Sequence, residues 1–346
     1  MHKIKVLVID DSAVIRQILV EIFNSDARLE VVGTASDPII ARDKIKQLNP
    51  DVLTLDIEMP RMDGLTFLKN LMRLRPMPVV MISTLTNKGA NITLDALEIG
   101  AVDYFAKPVA DAGNQLQVYS AVLIEKVVQA AGANVRTFDP SRFQPRRYDE
   151  TTPTGKLKPD VWIAIGASTG GTEAIKEVIQ HLPVNMPPIV VTQHIPYEFS
   201  GSYAERLNRS CPLQVHHVQG GELIEPGHVY LAPGNAHLRF ERKGGRWVCR
   251  LDEGDRVNRH RPSVEVMFDS AGDAVGKDLI AVMLTGMGAD GAQAMLRLRQ
   301  KGCYTIAQNE QTAVVWGMPG AAVAIGAASE VLPLPAIGQA LVKYSH

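Results

Sequence analysis

Gly166-Ala-Ser-Thr-Gly170 holds a serine hydroxyl between small residues, at the point where an apolar run gives way to a helical pattern. Residues 161–167 read as a buried strand and 172–180 as a helix, so the period changes at Ser168. G-x-S-x-G is the pattern of a sharp strand-to-helix turn that keeps a nucleophilic serine clear of its neighbours. The N–H groups of the first helical turn lie close by and could stabilise an oxyanion. The motif alone leaves two other readings open. Gly166 and Gly171 also fit the first and third places of the dinucleotide-binding G-x-G-x-x-G, although Ser168 would crowd a pyrophosphate and no acid ends the next strand, 189–194. The third reading is a structural turn with an incidental serine.

Two more polar residues arrive at strand ends in the same half of the chain. His194 closes the strand 189–194, and Asp290 follows the most apolar strand, 279–284, within Thr285-Gly-Met-Gly-Ala-Asp-Gly291. Serine, histidine and aspartate at the carboxyl ends of one sheet suit acyl transfer, because such triads are defined by converging roles and not by sequence order. His194 would take the Ser168 proton, and Asp290 would hold the imidazole tautomer and stabilise its cation. Glycines beside Met287 leave its N–H available as an oxyanion donor. Taken singly, His194 could be structural and Asp290 could cap the helix beginning near residue 292.

The first half carries a different chemistry. Strands expected at 5–10, 29–35, 52–56, 79–83 and 103–107 alternate with helices at about 12–24, 37–48, 65–74, 90–99 and 114–130, which implies a parallel sheet covered on both faces. Its strand ends carry Asp10 and Asp11, then Asp56, then Ser83, then Lys107-Pro108. Three carboxylates brought together repel one another unless a cation sits among them, and an oxygen-only set suits Mg²⁺. A lysine and a hydroxyl opposite could bind phosphoryl oxygens, leaving one carboxylate as acceptor.

Composition sets the bounds. The 346 residues are enough for two domains, and the 46% hydrophobic and 21% charged fractions are those of a globular protein. A formal net charge of −1 argues against a nucleic-acid or anionic-membrane surface. Three dispersed cysteines (Cys211, Cys249 and Cys303) suggest buried thiols in a reducing compartment. No apolar run reaches the ~18 residues of a membrane span, and acids interrupt the N-terminal apolar stretch, so a cytoplasmic location without membrane insertion is expected. The expected organisation is a first domain over 1–130, a polar, proline-dotted linker over 131–157 that could also touch a partner, and a second domain over 158–346. The second domain should open strand–helix–strand, with a third strand at 213–218 and a helix at 198–208. Antiparallel pieces are expected at 229–233, 238–242 and 247–251, and helices at 264–275, 292–300, 318–324 and 335–343.

Asp10-Asp11, Leu55-Asp-Ile-Glu-Met-Pro-Arg-Met-Asp-Gly64, Ser83 and Lys107-Pro108 resemble a response-regulator receiver domain over residues 1 to about 125. The resemblance implies a flavodoxin-like, five-stranded parallel sheet, phosphorylation of Asp56 by a histidine kinase, and Mg²⁺ held by Asp11, Asp56 and the Glu58 carbonyl, and by Asp10 through water. Ser83, standing where many receivers have threonine, and Lys107 would grip the phosphoryl group, and Tyr104 would be the aromatic that swings inward on activation. Gly166-Ala-Ser-Thr-Gly-Gly171, Gln193-His194, Ala232-Pro-Gly234, Arg259-His-Arg-Pro-Ser263 and the 285–291 segment resemble the chemotaxis protein-glutamate methylesterase catalytic domain. That implies a doubly wound, Rossmann-like α/β hydrolase domain with an antiparallel hairpin, acting on glutamate γ-methyl esters, and often on glutamines, of methyl-accepting chemoreceptors. Ser168 would be nucleophile, His194 base and Asp290 the orienting acid, with Thr169, Met287 and His260 supporting the site and no cofactor in ester hydrolysis. A receiver ahead of a hydrolase implies phosphorylation-controlled access to it. The competing class is a non-enzymatic response regulator whose second domain binds a nucleotide or a partner.

Overall fold

A computed structural model describes residues 2–59, 61–83, 87–107, 115–135, 157–158 and 160–346. Pro60, Pro108 and most of the expected linker lie outside the described residues. The chain divides into two compact units, Met1–Phe143 and Gln144–His346.

The first unit alternates β1 (Ile4–Ile9), α1 (Ala13–Asn24), β2 (Leu29–Ala35), α2 (Pro38–Leu48), β3 (Val52–Asp56), α3 (Gly64–Leu74), β4 (Val79–Ser83), α4 (Asn87–Ile99), β5 (Asp103–Ala106) and α5 (Gln115–Ala131). Short polar residues start the helices. Ser12 accepts from the Ile15 N–H, Asp63 from the Thr66 N–H, and Asp37 from Ile39 and Ile40 just before Pro38. The five strands are parallel, in the order β2-β1-β3-β4-β5. The strand order reverses between β1 and β3, which opens a crevice at their carboxyl ends. Asp10 follows β1 and Asp56 ends β3, so both acids face that crevice.

The second unit contains β6 (Trp162–Ala167), α6 (Gly171–Ile179), β7 (Ile189–Gln193), α7 (Tyr197–Ser210), β8 (Gln214–His217), β9 (His228–Leu231), β10 (His237–Lys243), β11 (Arg246–Asp252), α8 (Val264–Val275), β12 (Leu279–Met283), α9 (Ala292–Gln300), β13 (Tyr304–Gln308), α10 (Met318–Ala324), β14 (Glu330–Leu332) and α11 (Leu334–Ser345). Seven strands form a parallel sheet in the order β14-β13-β12-β6-β7-β9-β8. Helix α6 packs against α7 and α11, and α9 against α8 and α10, as a doubly wound fold requires. The switch in strand order falls between β6 and β12, so the turns after these strands share one crevice.

The antiparallel hairpin is β10–β11. It covers Trp162 at the start of β6, with the Phe240 and Trp247 rings edge-on at 5.1 and 6.0 Å. Two expectations need correction. Strand β9 is not an antiparallel piece: it lies parallel between β7 and β8. The ten-residue connection that allows this is itself clamped to the hairpin, through Gly221 N–H to Cys249 O at 2.7 Å and Cys249 N–H to Glu222 O at 2.8 Å. Alternating apolar residues do not encode pairing direction, and this return path supplies it. Strand β14 was not expected; its three residues pair in parallel with β13.

Gly64 lies against the phosphorylation-candidate strand, and a Cβ there would stand 2.0 Å from the Asp56 carbonyl oxygen. Gly64→Ala is therefore expected to destabilise the fold by about 1–3 kcal/mol, because backbone must shift to make room. A urea titration followed by circular dichroism reads this as a lower midpoint.

Candidate functional site

Ser168 follows β6 and is only 9% exposed. Its backbone is fully engaged: the N–H donates to Thr285 O at 3.0 Å, and the carbonyl accepts from Gly171 N–H at 2.7 Å and from the Gln193 amide at 2.8 Å. The Ser168 N–H is thus unavailable to an oxyanion, and what the turn offers is the hydroxyl. Small residues here serve close packing. A Cβ on Gly166 would lie 2.3 Å from Val264, and one on Gly286 would lie 2.8 Å from the Ser168 Cβ. Gly171 is pressed on the Gln193 side chain, at 2.1 Å from a Cβ.

His194 follows β7, its N–H bonded to Ala167 O at 3.1 Å. Its Nε2 lies 2.9 Å from Asp290 Oδ2, and its ring stacks on His260 with centroids 3.7 Å apart and planes 6° from parallel. The remaining nitrogen, Nδ1, is buried and has no hydrogen-bond partner. A carboxylate only accepts, so the neutral ring carries its proton on Nε2 and leaves the Nδ1 lone pair open. Nδ1 is therefore the nitrogen that can serve as base. The structure brings His194 and Asp290 together, while Ser168 stands at the neighbouring strand end without a hydrogen bond to either. Such bonds are often long before substrate binds.

Asp290 is buried and takes donors on both oxygens. Oδ1 accepts from Asn258 Nδ2 and Ser263 Oγ, each at 2.8 Å, and from Glu265 N–H at 3.4 Å. Oδ2 accepts from Val264 N–H at 2.7 Å as well as from His194. Burial pushes the carboxyl up, but the hydrogen bond and charge of His194, with the bonds from Asn258 and Ser263, outweigh it and bring it down to about 2. The capping alternative is corrected in its target. Asp290 does not cap α9, whose N-cap is Gly291; it satisfies the first N–H groups of α8 from another segment of the chain. Asn258, Ser263 and Gln193 had no assigned role in the sequence, because only the folded chain sets them against Asp290 and Ser168.

The other expected support residues line the same crevice. The Met287 N–H makes no hydrogen bond among the described residues and is half-buried. Thr169 is buried, its carbonyl 3.0 Å from the Thr285 hydroxyl.

In the first unit, carboxylate oxygens of Asp10, Asp11 and Asp56 lie within 4.8 Å of one another. Lys107 Nζ reaches Asp56 Oδ2 at 2.7 Å and stands 3.3 Å from Asp10 Oδ2. Three carboxylates that share the single ammonium of Lys107 leave an oxygen donor set with excess negative charge, which fits a hard divalent cation. Glu58 is exposed, with its N–H 3.4 Å from Asp56 Oδ1. Ser83 is buried and accepts from the Thr93 hydroxyl at 3.0 Å. Tyr104 is buried, with Lys126 Nζ 5.5 Å from its ring centre. Burial, helped by the Asp10 charge, raises Asp56 to about 6 against the pull of Lys107.

Comparison with known proteins matches residues 163–341 to the family described as CheB methylesterase and residues 6–117 to the response regulator receiver domain. A protein-glutamate methylesterase/protein-glutamine glutaminase of Saccharophagus degradans is 55% identical over 346 residues, covering 100% of this chain and 99% of its own. The chain belongs to the CheB methylesterase family. A Nitrosomonas europaea protein of the same name is 51% identical over 96% of this chain and 94% of its own. The crystal structure of the Thermotoga maritima CheB methylesterase catalytic domain is 39% identical, with a TM-score of 0.52, and covers 53% of this chain and 97% of its own. The CheB match contains Ser168, His194 and Asp290, and the receiver match contains Asp10, Asp11, Asp56 and Lys107.

The raised Asp56 group has a consequence for stability. An aspartate elevated on folding favours the fold below its unfolded value near 4 and opposes it as pH rises through about 6. Without divalent cation, Asp56→Asn is expected to stabilise the protein by about 2 kcal/mol at pH 7–8. The gain should shrink through pH 6 and vanish near pH 4, as read by thermal unfolding across that range.

Proposed function

We propose that this chain hydrolyses glutamate γ-methyl esters, and deamidates glutamines, on the cytoplasmic signalling helices of methyl-accepting chemoreceptors, under control of phosphorylation at Asp56. One observation carries the reading: an Asp290-held His194 with an open Nδ1 stands one strand from Ser168, in a chain 55% identical end to end to a relative named for both activities. Ser168 Oγ attacks the acyl carbon while His194 Nδ1 takes the hydroxyl proton. Asp290 balances the imidazolium through Nε2. The Met287 N–H, with Thr169 nearby, faces the developing oxyanion. Collapse of the tetrahedral intermediate expels methanol, or ammonia from a glutamine, which takes the proton from His194. Water, deprotonated by the same nitrogen, then releases the glutamate and restores Ser168. His260 supports the His194 ring by stacking.

In the first domain, Asp10, Asp11, Asp56 and the Glu58 carbonyl would hold Mg²⁺, which supplies positive charge against the carboxylates and the incoming phosphoryl group. Lys107 and Ser83 would bind phosphoryl oxygens on Asp56, and Tyr104 would respond to the new charge. The phosphodonor is a histidine kinase, and the modified receiver regulates access to Ser168. The domains on this reading are 1–130 and 158–346, joined by a linker over 131–157.

Ser168→Ala and His194→Ala are each expected to reduce methanol release from methylated receptors by about 10⁴- to 10⁶-fold with the fold intact. Wild-type release by Ser168→Ala would remove Ser168 as nucleophile. With Mg²⁺ and a small phosphodonor, a base-labile acyl phosphate should form at Asp56, accelerate methanol release, and be absent from Asp56→Asn. Mass spectrometry that placed the label elsewhere would contradict the acceptor assignment.

A further inference from the structure

Residues 257–260 form a two-residue turn, with reciprocal Val257 and His260 N–H···O bonds of 3.0 and 2.9 Å. Its central residues, Asn258 and Arg259, both have left-handed backbones, with φ 52° and 70°. Asparagine accepts this conformation better than most side chains. The turn reaches both members of the imidazole–carboxylate pair at once. Asn258 Nδ2 donates to Asp290 Oδ1 at 2.8 Å, and the His260 ring stacks on His194 at 3.7 Å.

We propose that Asn258 is a positioning residue of the proton relay, pinning Asp290 Oδ1 so that Oδ2 stays aimed at His194 Nε2. The inference rests on the Ser168–His194–Asp290 reading above. Of the donors to Asp290, Ser263, Val264 and Glu265 belong to the start of α8 and serve that helix whatever the chemistry. Asn258 comes from outside the helix, and α8 has no need of it. Two short bonds on Oδ1, from Asn258 and Ser263, oppose rotation of the carboxylate. The titratable groups around the pair are His260 against the His194 ring, His237, which accepts from the Ser263 N–H, and Glu265, which is paired with Arg297.

The test uses the full-length protein and methanol release from a receptor fragment bearing glutamate γ-methyl esters. Asn258→Gly keeps a residue that accepts positive φ and removes only the amide. Its kcat is expected to fall about tenfold, the loss of one hydrogen bond to a charged group, with KM nearly unchanged. The acidic limb of its kcat/KM profile should move to higher pH: one donor fewer leaves more negative charge facing the imidazole, which then holds its proton longer. Asn258→Asp sets a second carboxylate against Asp290, so its loss at neutral pH should be larger than that of Asn258→Gly. Arg259→Gly alters the same turn without touching Asp290 and should keep wild-type kcat and profile. An Asn258→Gly variant with wild-type kcat and an unmoved acidic limb would overturn the proposal. So would equal losses in Asn258→Gly and Arg259→Gly with no shift in either profile, which would mark a packing role for the turn alone. Activity surviving in Ser168→Ala would instead overturn the triad on which the inference rests.

Discussion

Asp290 is a full negative charge held 2% exposed, and much of the second unit's crevice is arranged around that fact. Taking a carboxylate out of water costs several kcal/mol unless donors replace the lost hydration. Here the donors come from His194 after β7, the start of α8, and the turn that follows the hairpin. Segments distant in sequence are thereby tied to one pair of oxygens. Because those donors are fixed in space, the carboxylate has one orientation, and His194 inherits its tautomer from it.

Packing at Val264 makes this convergence possible. Its N–H is one of the donors to Asp290, and its side chain fills the space that Gly166 and Gly291 leave by lacking a Cβ. A Cβ on either glycine would come within 2.3 or 2.5 Å of Val264. The small residues around Ser168 thus let a helix terminus approach the strand ends, which is how Asp290 comes to lie where it can be satisfied. Local backbone freedom and a distant ionic interaction are two parts of one arrangement.

The chain holds a second buried carboxylate with the opposite electrostatic fate. Asp56 meets one cation, Lys107, and two other acids, and is raised to about 6; Asp290 meets mostly donors and is lowered to about 2. The difference would suit the different work proposed for the two groups. A group that must stay anionic through a proton-transfer cycle gains from many donors. A group that must accept a phosphoryl group gains from an environment short of positive charge, into which a cation and the phosphoryl oxygens can be drawn.

The sequence by itself determined the order of elements in both units and the polar residues at their strand ends, because hydrophobic period and the residue that ends a strand are local properties. Through continuous apolar strands alternating with helices it also marked the parallel class of the first sheet; the doubly wound class of the second was implied by resemblance. Tertiary structure decided what depends on segments meeting. The direction of β9 follows from a connection clamped to the hairpin, and β14 exists only as an addition to the edge of β13. Asp290 could be named from its place after a strand, but not that it serves α8 instead of α9. Neither the choice of Nδ1 as the open nitrogen nor the part of Asn258 could be read from the chain, since a side chain's partners across 32 or 96 residues are set by packing and the satisfaction of buried charge, not by spacing.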